Sequence, residues 1–213
     1  MKTLLIGASG YVGSALLKEL LDRGHQVSAV VRDPSRLPQH PALDAIDADV
    51  YDAASIAAAA NGHEAVISAF SPGLADPGLY AHHVAGIGAI IAGVARSTAG
   101  RLLVVGGAGT LEVAPGVQLV DTPEFPEQWK ATALATRESL RLLGQTPSLR
   151  WTFLAPAAHL EPGERTARYR IGTGQFLVDA QGQSRISVAD YAKAMIDELE
   201  QPQHERQLFN VAY

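Results

Sequence analysis

A short apolar run, Leu4-Leu5-Ile6, feeds directly into Gly7-Ala8-Ser9-Gly10-Tyr11-Val12-Gly13, and a helical pattern follows at once. This strand–turn–helix junction constrains the chain more than any other feature. Glycine at each third position lets the backbone turn tightly, approach an anion without a Cβ in the way, and pack the new helix against its strand. The free amides of the helix N-terminus then face that anion, so Gly7, Ser9, Gly10, Tyr11, Val12 and Gly13 are read as a cradle for a pyrophosphate. Tyr11 and Val12 have a second reading, as core residues of the first helix.

The rest of the chain continues the alternation. Strands are predicted at Leu4–Ile6, Val27–Val31, Ala45–Val50, Ala65–Ala69, Leu102–Val105 and Trp151–Leu154, with helices at Ser14–Arg23, Ala53–Ala60, Tyr80–Arg96 and Glu127–Leu143. Strands that read as continuous apolar runs between helices imply a doubly wound, parallel α/β sheet covered on both faces, a Rossmann-like fold. After Pro156 the pattern changes to short segments, Arg168–Ile171, Phe176–Val178 and Arg185–Val188, then a helix started by Asp190 and an edge strand at Leu208–Val211. With 213 residues the chain is read as one domain, 1–213, whose substrate side is built from 107–127 and 156–188.

A net charge of −5 offers no basic field for nucleic acid and no polybasic membrane anchor. The apolar start stops at Gly7, too early for a signal peptide, and no segment is long enough to span a bilayer. Without cysteine there is no disulfide, no thiolate metal site and no cysteine nucleophile, so the cytoplasm is the expected compartment. His82-His83 is a poor metal site because adjacent helical residues diverge.

In such a fold a dinucleotide lies across the carboxyl ends of the strands. Arg32 ends the second strand, nineteen positions after Gly13, where the adenosine ribose is read. A guanidinium there suits a 2′-phosphate, so Arg32 and Arg36 point to NADP(H), with NAD(H) as the alternative if a one-residue shift presents Asp33 instead. Asp49 and Val50 would border the adenine. Ala69, Phe70 and Ser71, in a Pro-Gly loop, would pass under the cofactor.

These motifs, with the tail Ser184-Arg185-Ile186-Ser187-Val188-Ala189-Asp190-Tyr191, resemble the atypical short-chain dehydrogenase/reductase superfamily. Val104 to Gly116 and Asp121 to Pro126 further resemble its NADH-flavin reductase group of NAD(P)-dependent oxidoreductases. The resemblance implies a nicotinamide cofactor and strand order 3-2-1-4-5-6 with an added edge strand. It also exposes a departure. The superfamily reduces carbonyls with a Tyr-x-x-x-Lys pair and a serine, and no tyrosine here has a lysine four residues on. Lys130 falls near the tyrosine position and Leu134 near the lysine, while Gly106-Gly107 stand where the serine is found. Pro156, Ala157 and His159 would flank the nicotinamide.

Loss of acid, lysine and serine together suits a hydride acceptor that needs no protein acid, such as a flavin or quinone, with flavin a substrate rather than a bound group. Lys130 and His159 are the candidate catalytic side chains; each has a bland reading, a solvated helix lysine and a loop donor. Trp129 either stacks on a substrate ring or packs in the core. Glu161 to Arg165 is read as a substrate-side loop or as solvated charge. The expected activity is NAD(P)H-dependent reduction of a small-molecule acceptor by a monomer or homodimer. The alternatives are a non-catalytic NAD(P)-binding sensor and an epimerase-like or isomerase-like enzyme with relocated acid–base groups.

Overall fold

Along β1 (Lys2–Ile6) the side chains alternate between two apolar layers: Leu5 turns toward one core cluster, Leu4 and Ile6 toward the other. Both layers exclude water, which is why this strand reads as an unbroken apolar run. The computed structural model describes residues 1–213. It continues through α1 (Tyr11–Asp22), β2 (Gln26–Val30), β3 (Leu43–Ile46), α2 (Ala53–Ala60), β4 (Ala65–Ser68), α3 (Leu79–Arg96) and β5 (Leu102–Val105). Then come β6 (Glu112–Ala114), β7 (Val117–Gln118), α4 (Glu127–Gly144), β8 (Trp151–Ala155), β9 (His159–Glu161), β10 (Arg170–Gly172), β11 (Arg185–Ser187), α5 (Val188–Glu200) and β12 (Gln207–Ala212).

The main sheet has eight strands in the order β10-β12-β8-β5-β4-β1-β2-β3. All pair in parallel except β10, which runs against β12. The six strands expected from the resemblance lie in the order it implies; β12, expected as an edge strand over Leu208–Val211, is instead covered by β10, which forms the edge. Leu16, Leu17 and Leu20 of α1 join Tyr191, Met195 and Leu199 of α5 on one face. Ile56 of α2, Ile87, Ile90 and Val94 of α3 and Leu143 of α4 cover the other. This is the doubly wound α/β architecture expected of the chain.

Several boundaries differ from the sequence reading. The third strand is Leu43–Ile46, not Ala45–Val50, so Asp49 and Val50 lie in the turn beyond it. That turn is held locally, with Asp49 accepting from the Tyr51 amide at 2.9 Å. Phe176–Val178 is not a strand; pairing is limited to a bridge between Gln175 and Glu112. The first helix starts at Tyr11, three residues before Ser14. Ser187, not Asp190, caps α5, its hydroxyl accepting from the Asp190 amide at 3.0 Å. Asp190 instead turns inward, taking the Thr166 hydroxyl at 2.6 Å, the Ala167 amide at 2.7 Å and the Tyr213 hydroxyl at 2.9 Å. β6, β7 and β9 were not legible, because strands of two or three residues carry no periodicity. No helix is long and apolar enough to cross a membrane.

Candidate functional site

β1 pairs with β2 on one side and β4 on the other, and the helices that follow β1 and β4 cover opposite faces of the sheet. The carboxyl ends of β1 and β4 therefore border a crevice at the topological switch point. Gly7 turns the chain there at φ +83°, and a Cβ on it would lie 2.6 Å from the Ala69 carbonyl oxygen. A Cβ on Gly13 would lie 2.0 Å from the Gly7 carbonyl oxygen, so this glycine seats α1 against its own strand. Gly10 differs, meeting only that same oxygen at 3.3 Å. It caps α1 without a side-chain acceptor, no acid stands in the first turn, and the Tyr11, Val12 and Gly13 amides donate to nothing in the chain.

Two other helices are capped by side chains, Asp52 accepting from the Ala54 and Ser55 amides of α2 and Ser187 serving α5, while α3 and α4, like α1, have no side-chain cap. A glycine-lined helix start with three unaccepted amides fits a pyrophosphate. Ser9 lies within this turn, Tyr11 is exposed, and Val12 is half-buried against the core.

After β2, Arg32 is exposed and without a polar partner, and Arg36 is exposed with no hydrogen bond or ion pair of its own. The adjoining Asp33 is engaged. It accepts from the Ser35 hydroxyl at 2.7 Å and amide at 3.0 Å, and these bonds hold its carboxyl below the usual range. Of the two neighbouring charges, Arg32 is the one without a partner.

Toward the other end, the Ala69 amide extends the β1–β4 ladder by donating to the Ile6 carbonyl at 2.9 Å. The Phe70 ring turns into α3, where Gly86 leaves room for it, and packs edge-on against Tyr51 and beside His83. Ser71 is exposed and accepts from the Gly73 amide. After β5, a Cβ on Gly106 would overlap the Phe153 ring at 2.4 Å, and one on Gly107 would press on Thr136 at 3.2 Å. Serine cannot stand at 106 without repacking the sheet.

Pro156 and Ala157 are buried beyond β8, while His159 is exposed at the start of β9 with no side-chain partner. The Tyr11 hydroxyl reaches the Leu160 carbonyl at 3.4 Å, tying β9 to the first turn of α1. Lys130 lies one turn outward of Ala133, which packs on Gly109; its side chain is half-exposed, with Glu127 at 3.9 Å. Trp129 is exposed rather than part of the core. Tyr191 offers no acid: its buried hydroxyl donates to the Leu154 carbonyl at 2.7 Å, and burial pushes the phenol well above its usual range.

Three groups at this end escaped the sequence reading. Thr136 lies over Gly107. His83, half-buried, meets the Ser139 hydroxyl at 3.0 Å, and burial pushes its imidazole down to about 4, so it is neutral. Ser139 itself donates to the Ala135 carbonyl. Only the i, i+3 spacing of Thr136 and Ser139 on an apolar helix face hinted at them.

Comparisons with known proteins agree with this geometry. A family model described as NAD(P)H-binding matches residues 7–202. The uncharacterized protein YwnB of Bacillus subtilis is 44% identical, over 99% of this chain and 98% of its own. A Bacteroides thetaiotaomicron structure, provisionally named an epimerase, is 44% identical with a TM-score of 0.93, covering 100% of this chain and 96% of that one. A Streptococcus pneumoniae structure, provisionally named an NADH-flavin reductase, is 35% identical with a TM-score of 0.86, covering 100% and 99%.

Proposed function

Because this chain belongs to the NAD(P)H-binding family, with its oxidoreductase-type Rossmann fold, we propose that it is an NADPH-dependent reductase of a flat acceptor such as a flavin or quinone. The observation that carries the reading is the chemistry missing beside Gly106-Gly107. Phe153 leaves no room for a serine, α4 carries no tyrosine, and the nearby Tyr191 hydroxyl is held in the core. A carbonyl would need a proton delivered with hydride, whereas a flavin or quinone spreads the incoming charge over its ring and takes its proton from water.

The three free amides of α1 and Gly10 hold the pyrophosphate in this reading, and Arg32 with Arg36 grips a 2′-phosphate. Bound NADPH supplies the hydride. The backbone of Ala69 to Ser71, the pair Gly106-Gly107, and Pro156 with Ala157 orient the nicotinamide, and Val50 with Asp49 borders the adenine. Lys130 and His159, both without a strong partner, are free to steady an acceptor oxygen. Catalysis is then chiefly proximity and orientation.

The provisional epimerase name of the Bacteroides relative favours one rival, in which the cofactor emerges from each turnover unchanged. Net consumption separates the two. Loss of reduced-nicotinamide absorbance is measured with NADPH and NADH against FMN, FAD and a soluble quinone. Consumption with at least one acceptor, faster with NADPH, is expected. Tight cofactor binding with no consumption across the panel overturns the reductase and leaves a sensor or an epimerase.

A further inference from the structure

Leu74, Tyr80 and Trp129 are large apolar side chains that the fold leaves 62%, 45% and 45% exposed. All three line one groove, between the loop that leads from β4 into α3 and the first turns of α4. Its volume, about 590 Å³, falls in the range of small-molecule sites. Thr132 lines the groove, and its carbonyl accepts from the hydroxyl of Thr136, the residue that lies over Gly107. One helical turn, about 5.4 Å, thus links the groove to the nicotinamide end of the crevice.

The charge of the groove is one-sided. Asp76 is its only ionic lining group, held by the Gly78 amide at 2.7 Å and by His82 Nδ1 at 2.9 Å. No lysine or arginine lines it. Lys130 leans toward Glu127, and Arg141, which lies within electrostatic reach of Tyr80, is gripped by Glu138 at 2.6 Å. A phosphate entering here would meet a carboxylate and no cation, whereas an uncharged ring would find two aromatic walls.

We propose that this groove is the acceptor site and that it selects uncharged flat rings, a quinone or an unphosphorylated alloxazine, over phosphate-bearing ones. The proposal rests on the hydride-transfer reading above. Hydride leaves the reduced nicotinamide with its electron pair, a proton comes from water, and the ring becomes its dihydro form while the cofactor is oxidised.

The test uses the full chain saturated with NADP⁺ for binding and with NADPH for turnover, with menadione, riboflavin and FMN as probes. Riboflavin is expected to bind, by equilibrium dialysis, and to react about ten-fold better than FMN, and Asp76→Asn to narrow that gap. Trp129→Ala should raise the dissociation constant and KM of menadione and riboflavin about ten-fold, the loss of an aromatic contact and its buried area, with NADPH affinity unchanged. If riboflavin binds through Trp129 but nothing is reduced, the groove stands and the reductase reading falls. If acceptors are reduced but FMN equals riboflavin, or Trp129→Ala moves neither constant, the groove proposal falls and the reductase stands. Failure of both riboflavin and menadione to bind also overturns it, as does sedimentation showing a dimer that shuts Trp129 away from them.

Discussion

The two edges of the parallel sheet are built on opposite plans. At the amino ends of the strands, charge meets charge. Arg101, before β5, holds the Glu198 carboxylate, the Glu198 carbonyl at 2.7 Å and the Thr152 hydroxyl at 2.9 Å, and His204 closes on the same carboxylate at 2.8 Å. Nearby, Arg23 joins Glu19 to Glu200, and His25 meets Glu200 at 2.8 Å. At the carboxyl ends, α1 starts without a cap, and Arg32, Arg36 and His159 have no partners. Paired charges hold the fold at the amino ends, even with Arg101 Nε and His25 Nδ1 buried without a partner, whereas the exposed groups at the carboxyl ends keep their hydrogen-bonding capacity for something that arrives.

The sharpest way to break this comparison is Glu198→Ala. It strands Arg101 and frees His204 in the interior, so chemical denaturation should show a loss of about 3–5 kcal/mol. A loss under 1 kcal/mol would mean that the amino edge is not the structural one.

A smaller effect belongs to the carboxyl edge. Burial pushes His83 down to about 4, below its unfolded value, so the folded state binds fewer protons between the two. Its stability is complete above the unfolded value near 6.5 and is lost as pH falls toward 4, on the order of 3 kcal/mol. Denaturation at pH 7 and 4.5 should show that loss in the native chain and a shallower one in His83→Gln. Equal slopes would remove His83 from the account.

The glycines sharpen the contrast within one turn. Gly13→Ala must push on the Gly7 carbonyl and should cost about 1–3 kcal/mol of stability. Gly10→Ala brings its Cβ to 3.3 Å from the Gly7 carbonyl oxygen, a tight contact that a shift of a few tenths of an ångström relieves, so its melting temperature should fall less than that of Gly13→Ala while NADPH affinity falls. If Gly10→Ala binds NADPH normally, the open side of the turn is not the phosphate site.

Arg32→Asp should leave stability unchanged and weaken NADPH about ten-fold or more, the loss of a charge-assisted contact, with NADH affected far less. Equal affinity for NADPH before and after would show that Arg32 does not read the 2′-phosphate.

Legibility followed the same division. The glycine cradle could be read directly because all its parts lie within seven consecutive residues, Gly7 to Gly13. The helices and the six inner strands announced themselves by period and by apolar runs. Ala45–Val50 was misplaced because its polar residues, Asp47 and Asp49, interrupt any strand signal at a sheet edge. Asp190 looked like a helix start, and only the arrival of Thr166, Ala167 and Tyr213 shows why it turns inward. The groove was beyond reach of a linear reading, since its walls come from 74–81 and 128–132.

By itself, the amino-acid sequence determined the parallel α/β core and the glycine turn that opens α1, because both follow from local backbone freedom and from apolar periodicity along contiguous residues. Tertiary structure alone decided which charges remain free, Arg32 rather than Asp33, and why Gly106 excludes a serine. It also brought Tyr80 and Trp129 into one groove. Each of those outcomes depends on distances between side chains far apart in the chain, and such distances exist only once the sheet has assembled.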